Sequence, residues 1–565
     1  MVKKLKKLFH QYKIDGYIIP KNDEYFNEYI HSSKDKLKFI SNFSGSAGFA
    51  IVMKKKNYLF VDGRYTIQAG YQSGRKFKII TMPNKFPKDI LKTNKKIVLG
   101  FDPKLHTEKK LNTFFNIQNV KLKSIKQNLV DMVWLKKPKC LIKPFFSISV
   151  KNAGASSVKK IRQVKNLLSK NKIDYLLVTA PENVAWVLNI RGHDSSFSPV
   201  PNARLLISKS GNINLFANPK KLMNIKKIKM HIYDQKKIEM VLNHLSKKRV
   251  WLDSFSCSFF FKNLLGRKNK IIEKIDPIHF LKSIKNTTEI KNMKKSHLTD
   301  GIALTKFLFW LKKNFKKKNI TEISAQKKLE SFRKMHNSYK FPSFNTISGS
   351  GPNSAIIHYK ASPKTNRSLK LGELYLVDSG GQYSFGTTDV TRTVSLDNKS
   401  SHIKEIYTRV LKGHIAVSNF KIRKNSTGSQ IDQNARKFLR KIKLDYPHGT
   451  GHGVGYFLNV HEGPQSISKF NDIKLSEGMI LSNEPGFYKE GKFGIRTENL
   501  IYVKKKNKKL FFENLTLAPI DKDLINYKML NNKEKDYLFN YHLLVYSKIS
   551  KFLSKNEKSW LIKNF

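Results

Sequence analysis

The chain has very few cysteines. Cys140 and Cys257 are the only two in 565 residues, which excludes a disulfide framework in a chain of this size and fits a reducing compartment. Long hydrophobic runs are also missing. No stretch approaches the roughly 18 uncharged apolar residues that a membrane span requires. Met1 to Gly16 carries lysine pairs but no apolar run of signal-peptide length, so the expected location is cytoplasmic. Acid is scarce, with 41 carboxylate residues against 108 basic ones and a net charge of +67. Arginine is scarce within that excess, supplying only 15 of the 108. Lysine is a hydrated point charge, whereas bidentate phosphate and guanine contacts favour arginine. The lysine clusters (Lys54 to Lys56, Lys136-Lys137, Lys316 to Lys318, Lys504 to Lys506) are spread along the whole chain rather than gathered on one segment. Specific nucleic-acid binding is therefore not expected, and the charge reads as a solvated surface.

Apolar residues make up 40% and aromatics 12%, enough to build several cores, and the length implies roughly three to four domains. Gly16 to Pro20 reads as a short buried strand. Ala50 to Met53 and Tyr58 to Asp62 bracket the polar turn Lys54 to Asn57 as a hairpin. The same plan restarts after about residue 150, with an amphipathic helix over Ser157 to Lys170, a strand at Asp174 to Thr179, a short helix over Asn183 to Leu188 and a second hairpin from Ala203. This predicts a duplicated α/β module, with Ser124 to Ser157 as its linker. From Asn286 the texture changes. Helices are expected over Thr288 to Lys313 and Thr321 to Lys334, then short strands and Gly-rich turns to about Val503, then a helical tail from Leu515 to Phe565. The domains expected are 1–150, 151–285, 286–510 and 511–565.

The chemistry-bearing residues lie between His358 and Glu498. Asp378 ends an apolar run, and Asp389 follows eleven positions later beyond Gly380, Gly381 and Gly386, so the two can face each other across a hairpin. Facing carboxylates repel unless a cation lies between them, although both could also be turn residues. His448 and His452 have the spacing of a helical zinc motif, but glycine at 449, 451, 453 and 455 excludes a helix. No following Lys-Ser or Lys-Thr makes the run a phosphate loop. His461-Glu462-Gly463-Pro464 comes next. Glu484 and Glu498 each follow an apolar strand-like run, where an ordinary cap or turn role is the bland alternative. Together Asp378, Asp389, His452, Glu484 and Glu498 offer four carboxylates and one imidazole. That set suits two adjacent hard ions such as Mn²⁺ better than a lone structural zinc. Two ions about 3.5–4 Å apart would share a hydroxide of lowered pKa, which makes a hydrolase.

These motifs, in this order, resemble the pita-bread metallopeptidases (peptidase family M24). The matches are Ile356-Ile357-His358-Tyr359, Asp378-Ser379-Gly380, Thr388 to Thr393, the His448 to Gly455 run, His461 to Pro464, Asn483 to Gly486 and Arg496 to Asn499. Ser44 to Gly48, Asp62 to Tyr65 and Asn189 to Gly192 extend the likeness to the long, three-domain aminopeptidase P branch. The resemblance implies two creatinase-like α/β domains, an α+β pita-bread catalytic domain and a helical C-terminal extension. It implies hydrolysis of the Xaa-Pro bond at the N-terminus of peptides whose second residue is proline. Asp378, Asp389, His452, Glu484 and Glu498 would hold two divalent ions, Mn²⁺ first and Co²⁺ or Zn²⁺ as alternatives. Glu484 would also shuttle the proton, His358 and His461 would hold the scissile carbonyl, and His448 and Arg496 would shape the proline site. A homodimer and no membrane attachment are implied too. A prolidase-like dipeptidase and a ligand-free binding module remain the competing readings.

Overall fold

A computed structural model describes residues 1–223, 225 and 229–563, in two compact units, Met1–His279 and Phe280–Phe565. The last two residues of the expected helical tail, Asn564 and Phe565, lie outside the described residues.

The first unit contains two six-stranded sheets. One runs Lys78–Met82, Asn57–Asp62, Phe49–Met53, Gly16–Pro20, Ile97–Phe101, Val120–Ser124. The other runs His231–Asp234, Ile213–Ala217, Arg204–Ser208, Tyr175–Val178, Arg249–Leu252, Lys270–Glu273. Read in that order, both sheets pair parallel, antiparallel, antiparallel, parallel, parallel. The duplicated α/β module expected from the sequence is therefore a repeat of topology. All five residues of Gly16–Pro20 are buried, the apolar signature of a central strand covered on both faces. The helix Ser157–Lys170 starts where Ser156 accepts the Lys159 amide at 3.2 Å, and it buries Ile161, Val164 and Leu168 at helical spacing. Ser124 to Ser157 is not a bare linker. It carries the helices Leu129–Val133 and Val150–Ala153 and a strand, Phe146–Ser147, that pairs with Ile190–Arg191, so its longest stretch without regular structure is 134–145.

In the second unit the helix Thr287–Asn314 opens on a capping box, Asn286 and Glu289 each accepting the other's amide, and Glu322–Lys334 follows. Behind them lie a three-stranded sheet (Ile347–Ser350, Leu374–Ser379, Val390–Ser395) and a five-stranded one (Glu462–Ile467, Gly451–Gly453, Ile480–Asn483, Asn499–Lys506, Lys509–Asn514). The hairpin Gly486–Lys489 with Phe493–Arg496 forms a two-stranded sheet of its own. The expectation of unbroken short strands from Phe341 to Val503 is corrected by two helices, Ser401–Ser418 and Gly428–Arg440. Ile403, Ile406, Tyr407, Val410, Leu411 and Ile415 supply a full 3.6-residue stripe in the first, stronger than the neighbouring glycine turns. The helical tail expected from Leu515 begins its first α-helix only at Asn532, where Asn532–Ile549 sends Leu538, Tyr541, Val545 and Ile549 into the same core, and Lys555–Ile562 follows. Among the described residues, no helix is long and apolar enough to cross a membrane.

Candidate active site

Strand ends converge on one acidic centre. Asp378 is the fifth residue of Leu374–Ser379 and pairs with Thr391 of the neighbouring strand, which places Asp389 just ahead of Val390–Ser395. The expected simple hairpin between the two aspartates is instead a detour. Gly381–Tyr383 leaves to pair with Tyr339–Pro342 in another sheet, and Gly386–Thr387 pairs back on Gly381–Tyr383 before the chain returns. Gly380 permits this turn, since a Cβ there would meet the Thr388 carbonyl at 1.9 Å. His452 sits at the middle of Gly451–Gly453, Glu484 follows Ile480–Asn483, and Glu498 bridges Phe493–Arg496 and Asn499–Lys506.

Ligand-type atoms of Asp389, His452 and Glu498 lie within 4.8 Å of one another. The His452 Nδ1–H donates to the Gly453 carbonyl at 2.9 Å, which leaves Nε2 facing Asp389 and Glu484, each at 3.4 Å. Burial works against the imidazolium of His452, but Asp389 and Glu484 outweigh it and hold its pKa up at about 9. Burial raises Asp389 to about 6, with the Asp378 charge adding to the rise. Glu498 is pushed well above the usual carboxylate range by burial and by the Asp389, Glu484 and Asp378 charges. Thr391 donates to Glu498 at 2.7 Å, and Ser482 to Glu484 at 3.0 Å. Asp378 accepts from Arg496 at 2.7 Å through Oδ2, while its buried Oδ1 has no hydrogen-bond partner. Four carboxylates, of which Asp389 and Glu498 are raised, one imidazole whose Nε2 faces two of them and one unsatisfied buried oxygen form a donor set that a divalent cation would complete.

The other expected residues fall around this centre. The His461 ring lies 4.3 Å from that of His452. His448 Nδ1–H donates to the Gly449 carbonyl at 2.8 Å, and its Nε2 accepts from the Tyr488 hydroxyl at 2.9 Å. Arg496 donates to the same hydroxyl at 2.5 Å, so a chain of hydrogen bonds runs His448–Tyr488–Arg496–Asp378. His358 is half-exposed on the turn after Gly351–Ala355, and that turn is tied to the Arg496 strand by the Gly494 amide donating to Ser354 at 2.7 Å.

Several contributors were not legible in the sequence. Tyr488 belongs to none of the motifs, although its place four residues after Glu484 and eight before Arg496 puts it in the intervening hairpin. Asp432 and Arg436, one helical turn apart on Gly428–Arg440, hold the histidine loop. Asp432 accepts from the Thr450 hydroxyl at 2.7 Å, and Arg436 donates to the His448 carbonyl at 2.5 Å.

The model of the metallopeptidase family M24 matches residues 291–505, and that for the C-terminal region of peptidase M24 matches 508–565. Creatinase/prolidase N-terminal domain models match 1–132 and 136–289. A probable Xaa-Pro aminopeptidase P of Laccaria bicolor is 37% identical over 99% of this chain and 92% of its own length. The chain belongs to metallopeptidase family M24. A second M24 relative, Xaa-Pro aminopeptidase 1 of Dictyostelium discoideum, is 36% identical over 99% of this chain and 95% of its own. Among solved structures, the X-prolyl aminopeptidase of Caenorhabditis elegans, described as a cytosolic enzyme with a di-nuclear active site, superposes with a TM-score of 0.92. It is 30% identical over all of this M24 chain and 98% of that one. The prolidase of Pyrococcus horikoshii is 26% identical with a TM-score of 0.52, covering 99% of that protein but 64% of this one. The expected fold, two creatinase-type domains ahead of an M24 catalytic domain and its C-terminal region, is the one found.

Proposed function

We propose that this M24 chain is a metal-dependent aminopeptidase that releases the N-terminal residue of peptides carrying proline in second position. The observation that carries the reading is end-to-end likeness to proteins named Xaa-Pro aminopeptidases, joined to the meeting of Asp389, His452 and Glu498. Asp378, Asp389, His452, Glu484 and Glu498 would hold two divalent ions, Mn²⁺ being the best match to oxygen-rich donors. When bound, such ions supply Lewis acidity and positive charge that make water acidic enough to attack near neutral pH.

The protein's own groups supply the rest. Glu484, partly open to solvent, accepts the proton of the attacking water and delivers it to the proline nitrogen as the C–N bond breaks. His358 and His461 donate to the scissile carbonyl as negative charge develops on its oxygen. Gly453 fixes the His452 tautomer, and Arg496 fixes Asp378. His448, oriented by Tyr488, borders the proline ring. Proline's nitrogen carries no N–H, so a site that grips the amino end and the ring is suited to a bond that donor-dependent peptidases miss. We place the domains at 1–150, 151–285, 286–510 and 511–565, and read the protein as a cytoplasmic homodimer.

The test is release of the first residue from Xaa-Pro-Pro and from Xaa-Ala-Pro by chelator-stripped protein resupplied with Mn²⁺. Cleavage of the proline peptide alone, restored by metal and abolished by Glu484→Gln, is expected. Equal cleavage of both would overturn the proline specificity, and cleavage of Xaa-Pro dipeptides alone would make the enzyme a prolidase.

A further inference from the structure

Glu322 is the first residue of the helix Glu322–Lys334, a place where an acidic side chain usually does no more than face the helix dipole in solvent. Here it is wholly buried. One carboxylate oxygen accepts from the Ser350 amide at 2.8 Å and from Asn353 Nδ2 at 3.0 Å. The other accepts from the Tyr359 hydroxyl at 2.8 Å and from the Arg367 amide at 3.0 Å. All four partners are neutral donors. A buried carboxylate held this way is costly, and an apolar side chain would serve mere packing better. What the four donors share is their segment. Ser350 and Asn353 lie ahead of His358, Tyr359 is its immediate neighbour, and Arg367 closes the loop behind it. The helix end is sewn to the same loop by its backbone, Ser348 Oγ donating to the Glu322 carbonyl at 2.7 Å and the Glu322 amide to the Arg367 carbonyl at 2.9 Å.

We infer that Glu322 is a positioning residue for catalysis: its carboxylate is the hub on which the 350–367 loop folds, and through Tyr359 it sets the place of His358 over the reacting carbonyl. The inference rests on the role proposed for His358. Glu322 touches neither substrate nor metal, so its removal leaves metal binding intact and acts through one imidazole.

Glu322→Gln is the informative change. It keeps the shape but turns an NH₂ toward two donors, taking from them the acceptor they share. The experiment is a double-mutant cycle on Xaa-Pro-Pro hydrolysis by Mn²⁺-loaded protein, with metal content measured on every variant. Glu322→Gln is expected to lower kcat/KM by about 10–100-fold, mostly in kcat, with bound metal unchanged. In a His358→Ala background the same change should cost less than about threefold. An equal factor in both backgrounds, or loss of metal, would overturn the inference, because general loosening of the fold multiplies through regardless of His358. Full activity of His358→Ala alone would overturn the role given to His358, and this inference with it, while metal-dependent cleavage stands. Tyr359→Phe removes one donor and no buried charge. It should show the same non-additivity at about 3–10-fold, which keeps the test decisive if Glu322→Gln does not fold.

Discussion

Arg392 offers the sharpest test of what holds the acidic centre together. It is 1% exposed and has no carboxylate partner among its hydrogen bonds. Its guanidinium donates to the carbonyls of Pro519, Glu498, Ala518 and Thr391, to Asn499 Oδ1 and to the Tyr541 hydroxyl, all between 2.6 and 3.0 Å. Arg392→Met keeps an unbranched apolar stem and removes every donor. The Thr391 carbonyl retains the Glu498 amide, and the Tyr541 hydroxyl can donate to the Ala518 carbonyl or to Asn499 Oδ1, so the acceptors left with no alternative donor are the Glu498 and Pro519 carbonyls. Two buried acceptors left unsatisfied at about 1–3 kcal/mol each give a destabilisation of about 2–6 kcal/mol. At about 2–4 °C per kcal/mol for a unit of this size, the transition should fall by about 4–24 °C. The assay is scanning calorimetry, following the transition that responds to added Mn²⁺, since a two-unit chain need not unfold in one step. Arg392→Lys should recover little, because one ammonium cannot span the six acceptors. A shift below about 2 °C for Arg392→Met would refute the argument.

Tyr488→Phe deletes the hydroxyl joining His448 to Arg496, and kcat/KM for proline peptides should drop about tenfold with metal content retained. Unchanged kinetics would show that the hydrogen-bond chain does no catalytic service. Asp276 gives a pH prediction in the first unit. Burial raises its pKa from 3.8 to about 6, against the pull of His279. A carboxyl raised on folding contributes stability that is fully present below its unfolded pKa and lost as pH rises through about 6, at most about 3 kcal/mol in all. Asp276→Asn removes that loss, and Asn183, whose Oδ1 has no partner, can flip to receive the new amide. The stability gap between variant and parent, measured by urea unfolding, should widen from pH 4.5 to 7.5. A constant gap would contradict it.

Residues whose chemistry depends on their own type were legible. Asp389, His452 and Glu498 stood out because carboxylates and an imidazole among glycines have few bland uses, and the structure brings their atoms together. Helices with a clean apolar period, Ser157–Lys170 and Thr287–Asn314, were legible within a residue or so. Ser401–Ser418 carries the same kind of stripe but lies between glycine-rich turns, which drew attention to strands. Glu322 could not be picked out at all. At a helix start it is the commonest of acidic residues, and its meaning lies in donors 28 to 45 positions away, beyond any local pattern. The detour between Asp378 and Asp389 was hidden likewise, since glycines permit a turn without specifying which strand the chain will pair with next.

The bonds of Arg392 also set an order of events during synthesis. This side chain braces the Glu498 backbone, and it does so by closing on Ala518, Pro519 and Tyr541. The last of these is made 149 residues after the arginine, about 10–30 s later at ordinary elongation rates. Over that interval the nascent acidic strands are without their brace. The two modules that precede it, each with its own sheet, can fold while the ribosome is still working, whereas the acidic centre is completed only once Tyr541 has been made.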